Sequence, residues 1–210
     1  MAGGSFVLPK PRPTGPPFFS RNQVANALHQ VAVLLELKGA NVFRVRSYQN
    51  ASRMLGSLTE DLGELVASGD IFNMKGIGKG LGSALTQAIS EGQWPDDWID
   101  LHTNTPPGLI EMLGIPGLGP KRIKLMADEL GVDSVARLKE AALNNEIAPM
   151  KGFGAKSQQR MLDGIELLSR FRARRRLDIG LRYGEAFQQR IAALDGCLLY
   201  TSPSPRDLVI

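Results

Sequence analysis

A short pattern recurs three times in this chain, and each copy fixes a place where two helices must be joined by a tight turn. The copies are Met74-Lys75-Gly76-Ile77-Gly78-Lys79, Ile115-Pro116-Gly117-Leu118-Gly119-Pro120-Lys121 and Met150-Lys151-Gly152-Phe153-Gly154-Ala155-Lys156. The shared order is an apolar residue, any residue, Gly, an apolar residue and Gly, with a Lys one or two places on. A short apolar stretch precedes each copy and a helical period follows it. Glycine suits such a turn because it accepts positive φ and puts no side chain between the backbone and a ligand. The first N–H groups of the following helix are unpaired, carry partial positive charge and can hold a phosphate oxygen. The Lys adds a full charge nearby, and the apolar residue between the glycines points back to lock the two helices together.

Two other phosphate-binding designs are excluded by spacing. The dinucleotide fingerprint needs a third Gly where Leu81 stands, and Pro120 interrupts the phosphate-loop spacing between Gly114 and Lys121. Neither stretch follows a strand pattern. Only 6% of the 210 residues are aromatic, which suits small helical modules better than a β-sandwich. Cys197 is the one cysteine, so no internal disulfide can form and a reducing, cytoplasmic setting is expected. No apolar stretch is long enough to span a bilayer, and no membrane partner is expected. The net charge of +4 is unevenly placed. Between Lys151 and Arg182 nine Lys or Arg stand against three acids, so the rest of the chain is slightly acidic. A polyanion would be drawn to the segment in and after the third hairpin.

In chain order, residues 1–19 are rich in Gly and Pro and read as a disordered leader. Ser20 and Gln23 form a capping-box pattern, and Val24, Leu28, Val31 and Leu35 share one face of a helix that Lys38-Gly39 stops. A second helix runs from Phe43 to Leu55 with Val45, Tyr48 and Ala51 inward and Arg44, Arg46 and Arg53 outside. Thr59 is the expected cap of a third, which ends at Ser68-Gly69. The first hairpin then sends Leu81, Leu85, Ala88 and Ile89 into the same core. Trp94-Pro95 and Thr105-Pro106-Pro107 bracket a segment that reads as a boundary, with His102 in a linker. Beyond it, Leu109–Leu113, Lys121–Leu130, a helix capped by Ser134, and Lys156–Arg170 make two helical pairs joined by one helix. A further amphipathic helix is expected from Leu177 to Leu194. His29 and His102 have no acid or Cys at ligand spacing, so no side-chain metal site is expected.

The three hairpins resemble the helix-hairpin-helix motif, a binder of DNA backbone that does not read sequence. From about Arg21 to Gly196 the chain is similar to the N-terminal part of bacterial family X DNA polymerases, the polymerase beta-like family. The carriers are Glu36-Leu37-Lys38-Gly39-Ala40-Asn41-Val42-Phe43-Arg44-Val45-Arg46-Ser47-Tyr48, Lys75-Gly76-Ile77-Gly78-Lys79-Gly80, Gly117-Leu118-Gly119 and Gly152-Phe153-Gly154. The resemblance implies an all-α chain: a small helical lyase-like domain over residues 20–94 that carries the first hairpin, then a tandem helix-hairpin-helix domain over 95–176. Residues 177–196 would begin a truncated catalytic domain, and 197–210 read as a non-native tail.

The family's polymerase centre, a Gly-Ser pair followed by spaced aspartates that bind two Mg2+ ions, has no counterpart after Gly196, so catalytic residues are expected to be absent. The family's lyase Lys falls on Ala84, and a second pocket Lys on Gly80, which implies no strong lyase activity. Tyr48 matches a pocket tyrosine and Arg44 a pocket lysine. The implied partner is duplex or gapped DNA, with a polymerase domain in cis, in a bacterial, nucleoid-associated protein of gap-filling repair. The DNA-holding set would be Gly76, Gly78, Lys79, Gly117, Gly119, Lys121, Arg122, Gly152, Gly154 and Lys156, with Arg44 and Arg46 near a 5′ phosphate. The resemblance also implies a monovalent cation, Na+ or K+, at the carbonyls of Leu113, Ile115 and Leu118. A competing expectation is a stand-alone, non-catalytic DNA-binding or scaffold protein.

Overall fold

Ser20 starts the first helix as its pattern requires. Its hydroxyl accepts from the Gln23 amide at 3.3 Å, and the Gln23 side chain accepts from the Ser20 amide at 2.8 Å, closing a capping box. In the computed structural model, which describes residues 8–13 and 15–173, this helix, α1, spans Arg21–Leu37. It is followed by α2 (Val42–Ser57), α3 (Leu62–Ser68), a 3-10 turn (Asp70–Asn73) and α4 (Lys79–Thr86), which continues as a π turn (Gln87–Glu91). Then come α5 (Asp96–Thr103), α6 (Pro107–Met112), α7 (Pro120–Leu130), α8 (Val135–Leu143) and α9 (Ala155–Ala173). Among the described residues there is no strand, so the all-α expectation holds.

One buried stripe was expected on α1, but burial extends around most of its circumference. Ala25, Gln30, Ala32, Leu34 and Leu37 are buried along with Val24, Leu28, Val31 and Leu35. A helix that is apolar nearly all round belongs at the centre of a domain. Accordingly α1 packs against α2, α5 and α7. The α1–α2 contact is fixed by polar bonds as well: Ser52 Oγ donates to the Ala25 carbonyl at 2.7 Å, and the Arg21 guanidinium donates to the Leu58 carbonyl. The described residues through Glu166 form one compact unit.

Three expectations are corrected. Asp61, not Thr59, caps α3: its carboxylate accepts from the Glu64 amide at 3.0 Å, the three-residue reach that an N-cap needs and Thr59 lacks. The segment read as a linker is α5, whose Trp98 is among the largest fully buried side chains. Pro95 sets it off, and Asp96 and Asp97 in its first turn favour the positive helix end. The leader also has structure where it is described. Phe19 is 1% exposed and stacks on Trp94 at 4.1 Å, Trp94 Nε1 donates to the Pro9 carbonyl at 2.8 Å, and the Phe18 amide donates to the Ile89 carbonyl in the π turn. Aromatic area offsets the entropy that Gly and Pro would otherwise favour. The helix expected over Leu177–Leu194, the catalytic-domain start at 177–196 and the tail at 197–210 lie outside the described residues.

Candidate nucleic-acid interface

The three glycine turns adopt one conformation. In each, the amide of the apolar residue between the glycines donates to the carbonyl three positions back: Ile77 to Met74 at 3.1 Å, Leu118 to Ile115 at 3.1 Å, and Phe153 to Met150 at 3.0 Å. The first glycine is the third residue of each turn and has φ of +96° at Gly76, +80° at Gly117 and +87° at Gly152. A closing bond with positive φ at that position is the type II turn, for which the Pro116 of the second copy is a favoured second residue. The apolar residue then turns inward, with Ile77 and Leu118 buried and Phe153 half-buried.

The second glycine of each copy has a different character. Gly78 (φ −79°, ψ 166°) and Gly119 (φ −94°, ψ 166°) are the N-caps of α4 and α7, in extended backbone that any residue adopts. Neither has a side-chain cap bond. A Cβ built on Gly78, Gly119 or Gly154 meets no heavy atom within 4 Å. The chain itself therefore supplies no steric reason for glycine at these positions.

Charged side chains gather around these helix starts. Lys79, Lys121 and Lys156 are exposed at the openings of α4, α7 and α9. Lys121 is 78% exposed and lies 3.8 Å from Glu36 of α1, a loose pairing that leaves its ammonium open to another anion. Arg122 joins the second and third hairpins. Its guanidinium donates to the Gly117 carbonyl at 3.4 Å and lies over the Phe153 ring, 5.5 Å from the centroid. Sequence reasoning placed both turns on one edge, and this contact is the device that couples them. On the approach to the third turn, Asn144 and Arg137 both donate to Glu146 and hold its carboxyl below the usual range, while the Glu146 contact raises Arg137.

Arg44 and Arg46 line different clefts. Two residues apart on α2, they point to different sides of the helix. Arg44 lines a cleft of about 550 Å³ with Ser47, Tyr48, Gly78, Ser83 and Trp98, and its guanidinium reaches Asp97 at 3.3 Å. Arg46 lines a separate groove with Glu36, Lys121 and Lys124. Gly80 and Ala84 both line the first cleft, so the two positions where the resemblance would put amines present none. Tyr48 is half-buried, accepts from Trp98 Nε1 at 3.3 Å and meets that ring edge-on, so it packs the core and borders the cleft at once. Asp97, absent from the sequence expectation, was legible only as an acid in the first turn of a helix after Pro95. His102 is also in α5 rather than a linker; both ring nitrogens are buried without a partner, and burial lowers its pKa. Among the described residues no three His, Cys, Asp or Glu side chains stand together as metal ligands. None of the described helices is long and apolar enough to cross a membrane.

Residues 20–94 match the family described as a helix-hairpin-helix domain, and residues 109–166 match the SAM-like helix-hairpin-helix tandem. The chain is 34% identical over 145 residues, 69% of its length, to the DNA polymerase/3'-5' exonuclease PolX of Bacillus subtilis. It is 51% identical over 51 residues, 24% of its length, to the UvrABC system protein C of Corynebacterium jeikeium. The matched region spans 25% of the first relative and 7% of the second. With three matching turns, two helix-hairpin-helix matches and this similarity, the chain belongs with the helix-hairpin-helix proteins as a polymerase-like segment akin to the N-terminal part of family X DNA polymerases.

Proposed function

We propose that this chain is the DNA-holding portion of a family X DNA polymerase that acts in gap-filling repair. Amides at the openings of α4, α7 and α9, with Lys79, Lys121, Arg122 and Lys156, bind backbone phosphates without reading bases. The observation that supports this most directly is the second glycine of each hairpin, which has no structural need to be glycine yet stands where a strand's phosphate would approach the amides. The open cleft beside the first hairpin supports a place for a DNA 5′ phosphate, with Arg44 as its cation. Arg46, turned to the other groove, belongs with Lys121 rather than with that end. The reading includes Na+ or K+ at the carbonyls of Leu113, Ile115 and Leu118. The Ile115 carbonyl accepts from the Leu118 amide, and a carbonyl oxygen has two lone pairs.

The test is the salt dependence of duplex binding by the whole chain, followed by fluorescence anisotropy. Each neutralised phosphate contributes a slope of about −0.9 in log K against log salt, so engagement of these cations predicts a slope of about −4. A dissociation constant unchanged from low to moderate salt would refute the phosphate model.

A further inference from the structure

The cleft beside the first hairpin has an internal charge balance. Of the residues that line it, Arg44 and Asp97 are the two that carry charge, and they are bonded to each other at 3.3 Å. The rest of the lining is glycine, hydroxyl, amide, aliphatic and aromatic. The pair is half open to water, with side-chain exposures of 54% and 56%, so an incoming anion can reach Arg44 and compete with Asp97 for it. Their positions are set independently: α2 carries Arg44, while Asp97 sits in the first turn of α5, where the helix end favours a carboxylate.

We infer that Asp97 sets the end-specificity of this cleft by competing with a DNA 5′ phosphate for Arg44. The inference rests on the DNA-binding reading above and assigns that site an anion of its own. A terminal phosphate carries a charge of about −1.5 to −2 at neutral pH. To reach Arg44 it must displace a carboxylate that stays within a few ångströms, so part of the attraction is cancelled by like-charge repulsion. The free chain therefore discriminates weakly between phosphorylated and unphosphorylated 5′ ends. Removing the carboxylate's charge frees the guanidinium and removes the repulsion together.

The experiment measures binding of the full chain to two gapped duplexes that differ only in a 5′ phosphate or 5′ hydroxyl at the downstream end. Asp97→Asn keeps the shape and removes the charge. Its phosphate-to-hydroxyl affinity ratio should exceed that of the unaltered chain by about 1.5- to fivefold at low salt, the range of an exposed ion pair, and the gain should shrink as salt screens it. Asp97→Glu, which retains the charge, should keep the original ratio. In an Arg44→Gln background the effect of Asp97→Asn on the ratio should shrink to the part due to like-charge repulsion alone. Circular dichroism and thermal melting show that each variant retains the fold, with Asp97→Ser as a second neutral replacement should Asn disturb α5. Equal tightening on both duplexes, or an effect undiminished without Arg44, overturns the competition of Asp97 for Arg44 and leaves DNA binding standing. A chain that binds neither duplex overturns the DNA reading and this inference with it.

Discussion

Gly119→Ala separates what the fold needs from what a ligand needs. Gly119 has an ordinary φ of −94°, and an added Cβ meets nothing within 4 Å, so the backbone accepts alanine without strain. Replacing glycine stiffens the unfolded chain and contributes about 0.4–1 kcal/mol of stability. Against this, alanine is a poorer N-cap than glycine, at a cost of up to about 1 kcal/mol. The two nearly cancel, so the melting temperature should move by no more than a few degrees. Binding should respond differently, because the new methyl group adds bulk in the open space beside the start of α7, where the proposed phosphate approaches. Losing one hydrogen bond to a charged oxygen costs about 1.5–3 kcal/mol, or roughly ten- to a hundredfold in affinity. Gly117→Ala is the complement. At φ +80° an alanine costs about 1–2 kcal/mol, which lowers the melting temperature by about 2–8 °C whether or not DNA is present. Anisotropy with a labelled duplex and calorimetry on the same preparations read both quantities. Should Gly119→Ala bind as tightly as the unaltered chain while remaining folded, the amides at that helix start are not the phosphate contact.

Other outcomes follow from the same geometry. Phe19→Ala removes a fully buried ring stacked on Trp94 and should cost about 3–5 kcal/mol, visible in chemical denaturation. His102 gives a pH dependence. Burial depresses its folded pKa below the ordinary 6.5, so the unfolded chain binds the proton first. Stability is unaffected by this group well above pH 6.5 and falls as pH drops below it, and His102→Gln should flatten that decline in melting curves between neutral and mildly acidic pH. Arg122→Lys keeps the charge but loses the planar stack on Phe153, so it should weaken duplex binding severalfold while leaving the salt slope nearly unchanged. With Gly80 and Ala84 at the amine positions of the cleft, borohydride should trap little of the chain on abasic DNA. An efficient adduct would point to Lys75 or Lys79 as a substitute amine.

What could be read from sequence alone was local. Capping boxes and glycine stops act over three or four residues, so Ser20, Gly69, Gly131 and Ser134 marked helix ends that the structure keeps. The repeated glycine turns were legible for the same reason, since positive φ and the closing bond are set within four residues. Apart from the cap of α3, which Asp61 takes two residues beyond Thr59, the misreadings concern partners far apart in the chain. A Gly- and Pro-rich leader looked unstructured because nothing in residues 1–19 reveals that Trp94 waits for Phe19 and for the Pro9 carbonyl. Prolines on both sides of α5 looked like a boundary because proline marks helix starts and linkers alike, and Trp98 packing tells them apart. The functional consequence is the same in kind. Arg44 and Asp97 are 53 residues apart. The sequence therefore showed a free cation on α2, whereas the folded chain holds that cation already paired. A basic residue found by motif is thus a measure of what the site could bind, and its folded partner decides how much of that charge a phosphate would actually feel.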